Sequence, residues 1–378
     1  MAREIIKRTP SKGRMVVARS KSSLLAKGIE RAVVGRGGIK KIRVEFLHTG
    51  STPLNLAGSG GDKDGGWARG RVINLVGDGS SGKTALALEL AAWCFFNIKK
   101  VKSKIFPKVK KVVIIYDNIE RVMDFPLEEM YGEEFVDGVE WISSASAEGF
   151  GRSIGRTIKK YRKKGVFVLY ILDSLDALMP EAALERFDKA ADEDKPEESH
   201  SYAEKASYFS QSFFGNLVSK MSGQDFTLLI ISQVRTKIGV VFGKKQYRTG
   251  GKGMDFYTHQ VAWLGTGQEL TKTIRRKKIP YGVRGRVKFE RNKVAKPRRE
   301  ADFIILFDHG IDDYTSTVDF VHGDTKQIDY GGKKLTKEQY IARLQKDPDL
   351  FEELREEAQE IWQDMEEQVK VKRKRKYN

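Results

Sequence analysis

"RVINLVGDGSSGKTALALEL", residues 71–90, decides the fold. It opens on a strand-length run of Val, Ile and Leu, crosses a glycine-rich turn, and ends on Ala, Leu and Glu, which favour a helix. The turn fits G-x-x-x-x-G-K-[ST] in the strand–loop–helix setting that this motif requires. Backbone N–H groups of such a loop, with the helix N-terminus behind it, form a cradle for phosphates. Gly77, Asp78, Gly79, Ser80, Ser81, Gly82, Lys83 and Thr84 are therefore the nucleotide-binding candidates. Lys83 would reach the β- and γ-phosphates of ATP, and the Thr84 hydroxyl would ligate Mg²⁺.

Outward from this stretch the chain alternates strand and helix. Apolar runs at "KVVIIYD" (111–117), "VEWISS" (139–144), "VFVLYILDS" (166–174) and "DFTLLIIS" (225–232) predict strands of a mostly parallel sheet, buried on both faces. "GKTALALELAAWCFFN" and "GFGRSIGRTIKKYRKK" predict helices between them. The class is α/β, with helices on both faces of the sheet. "QVAWLG" (260–265), "GRVKFERN" (285–292) and "ADFIILFD" (301–308) carry more basic residues at short spacing and predict an antiparallel extension. The organisation is a basic arm with one short helix (1–46), a core (47–325), and a small charged helical region with a basic tail (326–378).

The chain has 378 residues and a net charge of +18, the balance of a protein that seeks a polyanion. Residues 1–46 hold 13 Lys or Arg against 3 acids, and "KVKRKRK" (370–376) adds six cations. Against this trend, residues 181–199 hold eight acids and three bases. No apolar run is long enough to span a membrane, and the first residues lack the core of a secretory signal. One cysteine, Cys94, allows no internal disulfide and fits the cytoplasm; in "AAWCFF" it reads as a buried small hydrophobe.

Three further strand ends carry chemistry. The acid closing "LYILD", Asp173, is placed to complete a Mg²⁺ shell, and Asp176 reads as the start of the next element. "IIYDNIERVMD" offers Asp117 and Glu120 as acids that could polarise a water against the γ-phosphate. "QVRTKIGVVFGKKQYRTGGKGMDFYTH" (233–259) follows a buried strand directly. Its Gln233 can hydrogen-bond the γ-phosphate and report it to a basic loop. Arg235, Lys237, Lys244, Lys245, Arg248 and Lys252 are that loop's DNA-binding candidates, and the apolar "IGVVF" suits insertion between bases.

Across roughly residues 47–320 the chain resembles RecA-type homologous-recombination ATPases, with wording near the family's phage-type members. "GDGSSGKTALALEL" resembles their phosphate loop, "LYILDSLDALMP" their second acidic strand, and "ISQVRTKIGVVFGKK…TGGKGMDFY" their second DNA-binding loop. The resemblance implies that Arg291 and Lys293 of "ERNKVAKP" act in trans on the neighbour's γ-phosphate. It implies that Tyr314 of "FDHGIDDYTSTVDF" caps the adenine and that Asp124 contacts it. The family places its catalytic Glu two residues after the strand-end Asp, where this chain has Ile119. The spacing from Glu120 to Asp124 matches the family's and favours Glu120 behind a one-residue insertion, with Asp117 as the alternative. The acidic segment 181–203 departs from the first DNA loop, and "KRKRK" replaces an acidic tail.

The function implied is a DNA-dependent ATPase that polymerises with itself into a helical filament. It would bind single-stranded and double-stranded DNA, promote strand exchange, and work with single-strand-binding or loader proteins. A ring-forming motor and a hydrolysis-deficient DNA-binding paralogue are the rival readings.

Overall fold

The computed structural model describes residues 44–123, 125–193, 201–209, 213–236, 246–248, 251–323 and 325–373. The expected N-terminal arm therefore lies outside the described residues except for 44–46. The first half runs β1 (Phe46–Leu47), α1 (Thr52–Ser59), β2 (Trp67–Ala68), β3 (Val72–Gly77), α2 (Lys83–Asn97), β4 (Lys111–Asn118), α3 (Leu127–Tyr131), α4 (Glu133–Gly138), β5 (Val139–Ile142), α5 (Ala147–Lys160) and β6 (Val166–Asp173). It continues through α6 (Glu181–Glu193), α7 (Ser201–Tyr208), α8 (Phe214–Met221), β7 (Phe226–Thr236), β8 (Gln246–Arg248), α9 (Gly251–Tyr257), β9 (Gln260–Ile274) and β10 (Lys277–Asn292). The chain closes with β11 (Arg299–Leu306), β12 (Gly310–Ile311), α10 (Asp313–His322), β13 (Gln327–Tyr330), β14 (Lys333–Thr336), α11 (Lys337–Leu344) and α12 (Pro348–Gln368).

The main sheet has the order β12-β11-β10-β9-β3-β7-β6-β4-β5. From β9 to β5 every pairing is parallel, and from β9 outward through β10, β11 and β12 every pairing is antiparallel. Successive residues of a strand face opposite sides, so the apolar runs feed two cores. Ile73, Leu75, Ile114, Tyr116, Leu169, Ile171, Leu229 and Ile231 pack under α2, α4 and α12. Their alternates Val72, Val113, Ile115, Val168, Tyr170, Leu172, Leu228 and Ile230 pack under α5, α8 and α9. Cys94 is buried in the first of these layers. No described helix is long and apolar enough to cross a membrane.

Two regions differ from the sequence expectation. β9 and β10 reach well past "QVAWLG" and "GRVKFERN", to Ile274 and back from Lys277. The outer half of this ribbon is solvent-exposed, so its strands satisfy their backbone groups on each other and show no apolar alternation to read. The C-terminal region begins with a hairpin, β13–β14, before its helices. α12 buries Leu354, Ala358 and Trp362 at helical spacing, and the last two join the core beneath the sheet. Arg355 ties this helix to α1, donating to Thr52 Oγ1 at 3.0 Å, the Lys63 carbonyl at 2.8 Å and Asp64 at 2.9 Å. Asp313 accepts from the Thr52 N–H and hydroxyl, supplying from α10 the cap that the N-terminus of α1 lacks locally.

Glu89 of α2 sits in this junction, accepting from the Tyr131 hydroxyl at 3.3 Å, and burial pushes its carboxyl up to about 7. From about pH 4.5 to 7 the folded chain keeps a proton that the unfolded chain has lost, so stability falls as pH rises through that window. Glu89→Gln should remove this slope. The variant's stability relative to the parent should gain on the order of 3 kcal/mol across the window, read from urea unfolding at stepped pH.

Candidate nucleotide site and nucleic-acid loop

Gly77 ends β3 and Lys83 opens α2. Between them Ser80 (φ 57°) and Gly82 (φ 89°) take left-handed backbone, a form that suits an anion nest. At Gly82 a side chain would meet both that conformation and Ile305 at 2.5 Å. The Lys83 ammonium folds back over its own loop, donating to the Asp78 carbonyl at 2.6 Å and Ser81 Oγ at 3.3 Å. Burial lowers its pKa, and Asp173, Glu120, Asp78 and Asp176 oppose that shift.

The Thr84 hydroxyl donates to Asp173 Oδ2 at 3.0 Å, and the Tyr116 hydroxyl to the same oxygen at 2.7 Å. Burial raises the Asp173 carboxyl's pKa, while Tyr116 and Thr84 pull it back. The pair fits Mg²⁺. Both are hard oxygen donors, and Mg²⁺ in nucleotide sites takes few protein ligands beside phosphate and water.

The two candidate acids of β4 and its following turn have different surroundings. Asp117 is fully buried. It accepts from Ser144 N at 2.7 Å, Ser144 Oγ at 2.6 Å and the Tyr170 hydroxyl at 2.7 Å. Its oxygens are thus occupied in tying β4 to β6 and the end of β5. Glu120 lies past the strand end. Its Oε1 accepts from Ser174 Oγ at 2.6 Å and from Gln233 Nε2 at 3.2 Å. Parallel register brings these groups together: Asn118 pairs with Asp173, and Gly77 with Gln233.

β7 runs on to Thr236, and β8 returns antiparallel with Arg248 opposite Val234. Arg235 pairs with Asp176, Nε to Oδ1 3.5 Å. Arg248 departs from the expectation of a DNA contact. Its guanidinium bonds Asn74 Oδ1 and, at 2.6 Å, Asp255, with 8 % of the side chain exposed. A guanidinium held this way braces β8 against β3 and α9 rather than facing a ligand. Lys252 lies in α9. Lys237, Lys244, Lys245, Asp124 and the "IGVVF" patch lie outside the described residues.

Arg291 and Lys293 lie at the other end of the sheet from the phosphate loop. Arg291 registers with Val261 and through it with Asn74, and Lys293 N–H donates to the His259 carbonyl. That places them three to five residues short of Gly77 along β3, roughly 10–17 Å at strand rise. Lys293 Nζ donates to the Phe256 carbonyl, and burial first, then Arg291, lowers its pKa. Tyr314 stands in the first turn of α10, its ring 4.3 Å from that of Phe351.

A family model for the RecA N-terminal domain matches residues 152–312. The chain is 28% identical to RecA of Streptomyces ambofaciens over 337 residues, 87% of this chain and 81% of that one. RecA of Prochlorococcus marinus (strain NATL1A) is 29% identical over 294 residues, 76% and 68% respectively. RecA of Gloeobacter violaceus is 28% identical over 353 residues, 91% and 82%. The chain is thus similar to RecA proteins over most of its length. Its sheet and phosphate loop form a RecA-like core.

In this RecA-type core several site residues escaped the sequence reading. Tyr116 and Ser174, which hold Asp173 and Glu120, read there as strand residues. Asp176, set aside as the start of the next element, accepts the Gln233 N–H at 2.7 Å. Its spacing, one helical turn past Asp173 in a segment that is not a helix, was the one available signal. The separate environments of the two acids are testable. Asp117→Asn should lower the unfolding free energy by about 2 kcal/mol, the scale of hydrogen bonds to a charged group. Glu120→Gln should shift it by less than about 0.5 kcal/mol, read by denaturant titration.

Proposed function

We propose that this RecA-type chain is an ATP-dependent recombinase that polymerises on single-stranded DNA and promotes strand exchange with a duplex. The observation that carries the reading is the Glu120–Gln233 hydrogen bond, which joins a water-activating acid to the first residue of a basic loop at the phosphate-loop edge. The backbone of Gly77–Gly82 and the Lys83 ammonium bind the phosphates, and Tyr314 and Asp124 hold the adenine. Thr84 and Asp173 would hold Mg²⁺, which would supply charge neutralisation for the triphosphate.

Glu120 takes the proton of the attacking water at its carboxylate. Gln233 moves its amide from Glu120 to the γ-phosphate when ATP binds, and so reports the nucleotide to the loop. Arg235, Lys237, Lys244, Lys245 and Lys252 grip the DNA backbone, with Arg248 bracing the loop's return. Arg291 and Lys293 stand at the opposite edge from their own phosphate loop, which suits service to a neighbour's nucleotide. Residues 1–46 pack on the next protomer, single-strand-binding or loader proteins assist assembly, and the compartment is the cytoplasm. The accessible Glu120 favours this reading over a hydrolysis-deficient paralogue. Electron microscopy with single-stranded DNA and a non-hydrolysable ATP analogue tests it against the motor: open helical filaments are expected, and closed rings would sink it.

Glu120→Gln should keep ATP and DNA binding and slow hydrolysis by about 10²-fold or more, measured as phosphate release. Asp117→Asn slowing hydrolysis while Glu120→Gln does not would reverse the assignment.

The interface role predicts complementation. Lys83→Ala chains and Arg291→Ala/Lys293→Ala chains should each be inactive alone. Mixed, they should regain DNA-stimulated hydrolysis, because some interfaces then join an intact phosphate loop to intact cations. No recovery in the mixture would remove the trans role.

A further inference from the structure

Asp176 lies in the turn that leaves β6, three residues past Asp173, and its side chain is 3% exposed. Oδ2 accepts the backbone N–H of Gln233 at 2.7 Å. Oδ1 faces Arg235 Nε at 3.5 Å, on a side chain that is 43% exposed. The turn is pinned from α7: the buried Lys205 donates its ammonium to the Asp176 carbonyl at 2.9 Å and the Leu178 carbonyl at 2.6 Å. One carboxylate therefore holds both the backbone of the nucleotide-facing Gln233 and the first cation of the basic loop. The catalytic reading above leaves it without a role.

We propose that Asp176 is an electrostatic latch: it competes with DNA phosphate for the Arg235 guanidinium and ties the outcome to Gln233. The proposal rests on the reading of the chain as a DNA-binding ATPase. The pair is open to solvent on its Arg235 side, where a polyanion can reach the guanidinium. A strand phosphate also gains by releasing condensed counterions, which the carboxylate cannot do. Once Arg235 turns to phosphate, Asp176 keeps its charge at low exposure with one cation fewer, leaving Lys205 and Lys83, among the described residues, as the ammonium groups that act on it. The carboxylate then leans harder on the Gln233 N–H. Gln233 in turn reaches Glu120 through its side chain at 3.2 Å. DNA and nucleotide thus act on the two ends of one residue, and each must raise the other's affinity by the same factor.

The test measures binding of a labelled oligo-dT strand, with and without a non-hydrolysable ATP analogue, over a salt series. Asp176→Asn keeps an oxygen to accept from Gln233 N–H and removes the charge. Without nucleotide it should bind DNA about three- to ten-fold tighter than the parent. Its salt slope should steepen by about 0.7, the share of one phosphate, and its gain on adding the analogue should shrink. Arg235→Ala in the same background should cancel the increase. Unchanged or weaker nucleotide-free binding by Asp176→Asn overturns the latch. Should that variant fail to fold, Arg235→Ala alone decides: it should lose less DNA affinity without nucleotide than with it, and equal losses overturn the proposal. A parent that binds no strand even with the analogue would instead bring down the recombinase reading, and the latch with it.

Discussion

The parallel register between β3 and β7, which sets Gly77 beside Gln233, is the constraint on which the site depends. Parallel strands end at the same edge of a sheet, so the groups that follow them converge there. The phosphate loop leaves β3, Asp173 closes β6, Glu120 follows β4, and Gln233 lies in β7, which continues past that edge. A slip of one residue in any of these pairings would send alternate side chains to the wrong core. Leu229 and Ile231 would exchange faces with Leu228 and Ile230, and both buried layers would be lost together. The edge that carries the phosphate loop is therefore held by the same apolar packing that makes the sheet.

That edge gathers more negative than positive charge. Lys83 acts against Asp173, Glu120, Asp78 and Asp176. A triphosphate brought to such a place needs further cations, and the chain's own Arg291 and Lys293 sit at the opposite end of the strands. In the proposed function, Mg²⁺ and a neighbouring subunit would supply that charge.

The C-terminal region is joined to the core by charge and by rings. Arg355 spans α12, Thr52 and the Lys63–Asp64 turn, Asp313 caps α1, and Phe351 lies against Tyr314. The residue read as an adenine cap thus has its position set by a helix that a sequence boundary at 325/326 would assign elsewhere.

The phosphate loop, the apolar strands and α2 were legible from the sequence because each depends on short-range rules. A left-handed turn at Gly82, a strand buried on both faces and a run of helix formers leave their marks within a few residues. Glu120 was favoured over Asp117 there only by a spacing that the resemblance supplied; the three donors that occupy Asp117 come from Ser144, past the end of β5, and Tyr170 of β6. Arg248 read as one more cation of a basic loop, and its partner Asn74 is 174 residues away. The length of the β9–β10 ribbon was hidden because an exposed two-stranded ribbon needs no apolar alternation. Local conformation and burial are written in neighbouring residues. Which polar group meets which is decided by strand order and register, and those exist only once distant segments have paired.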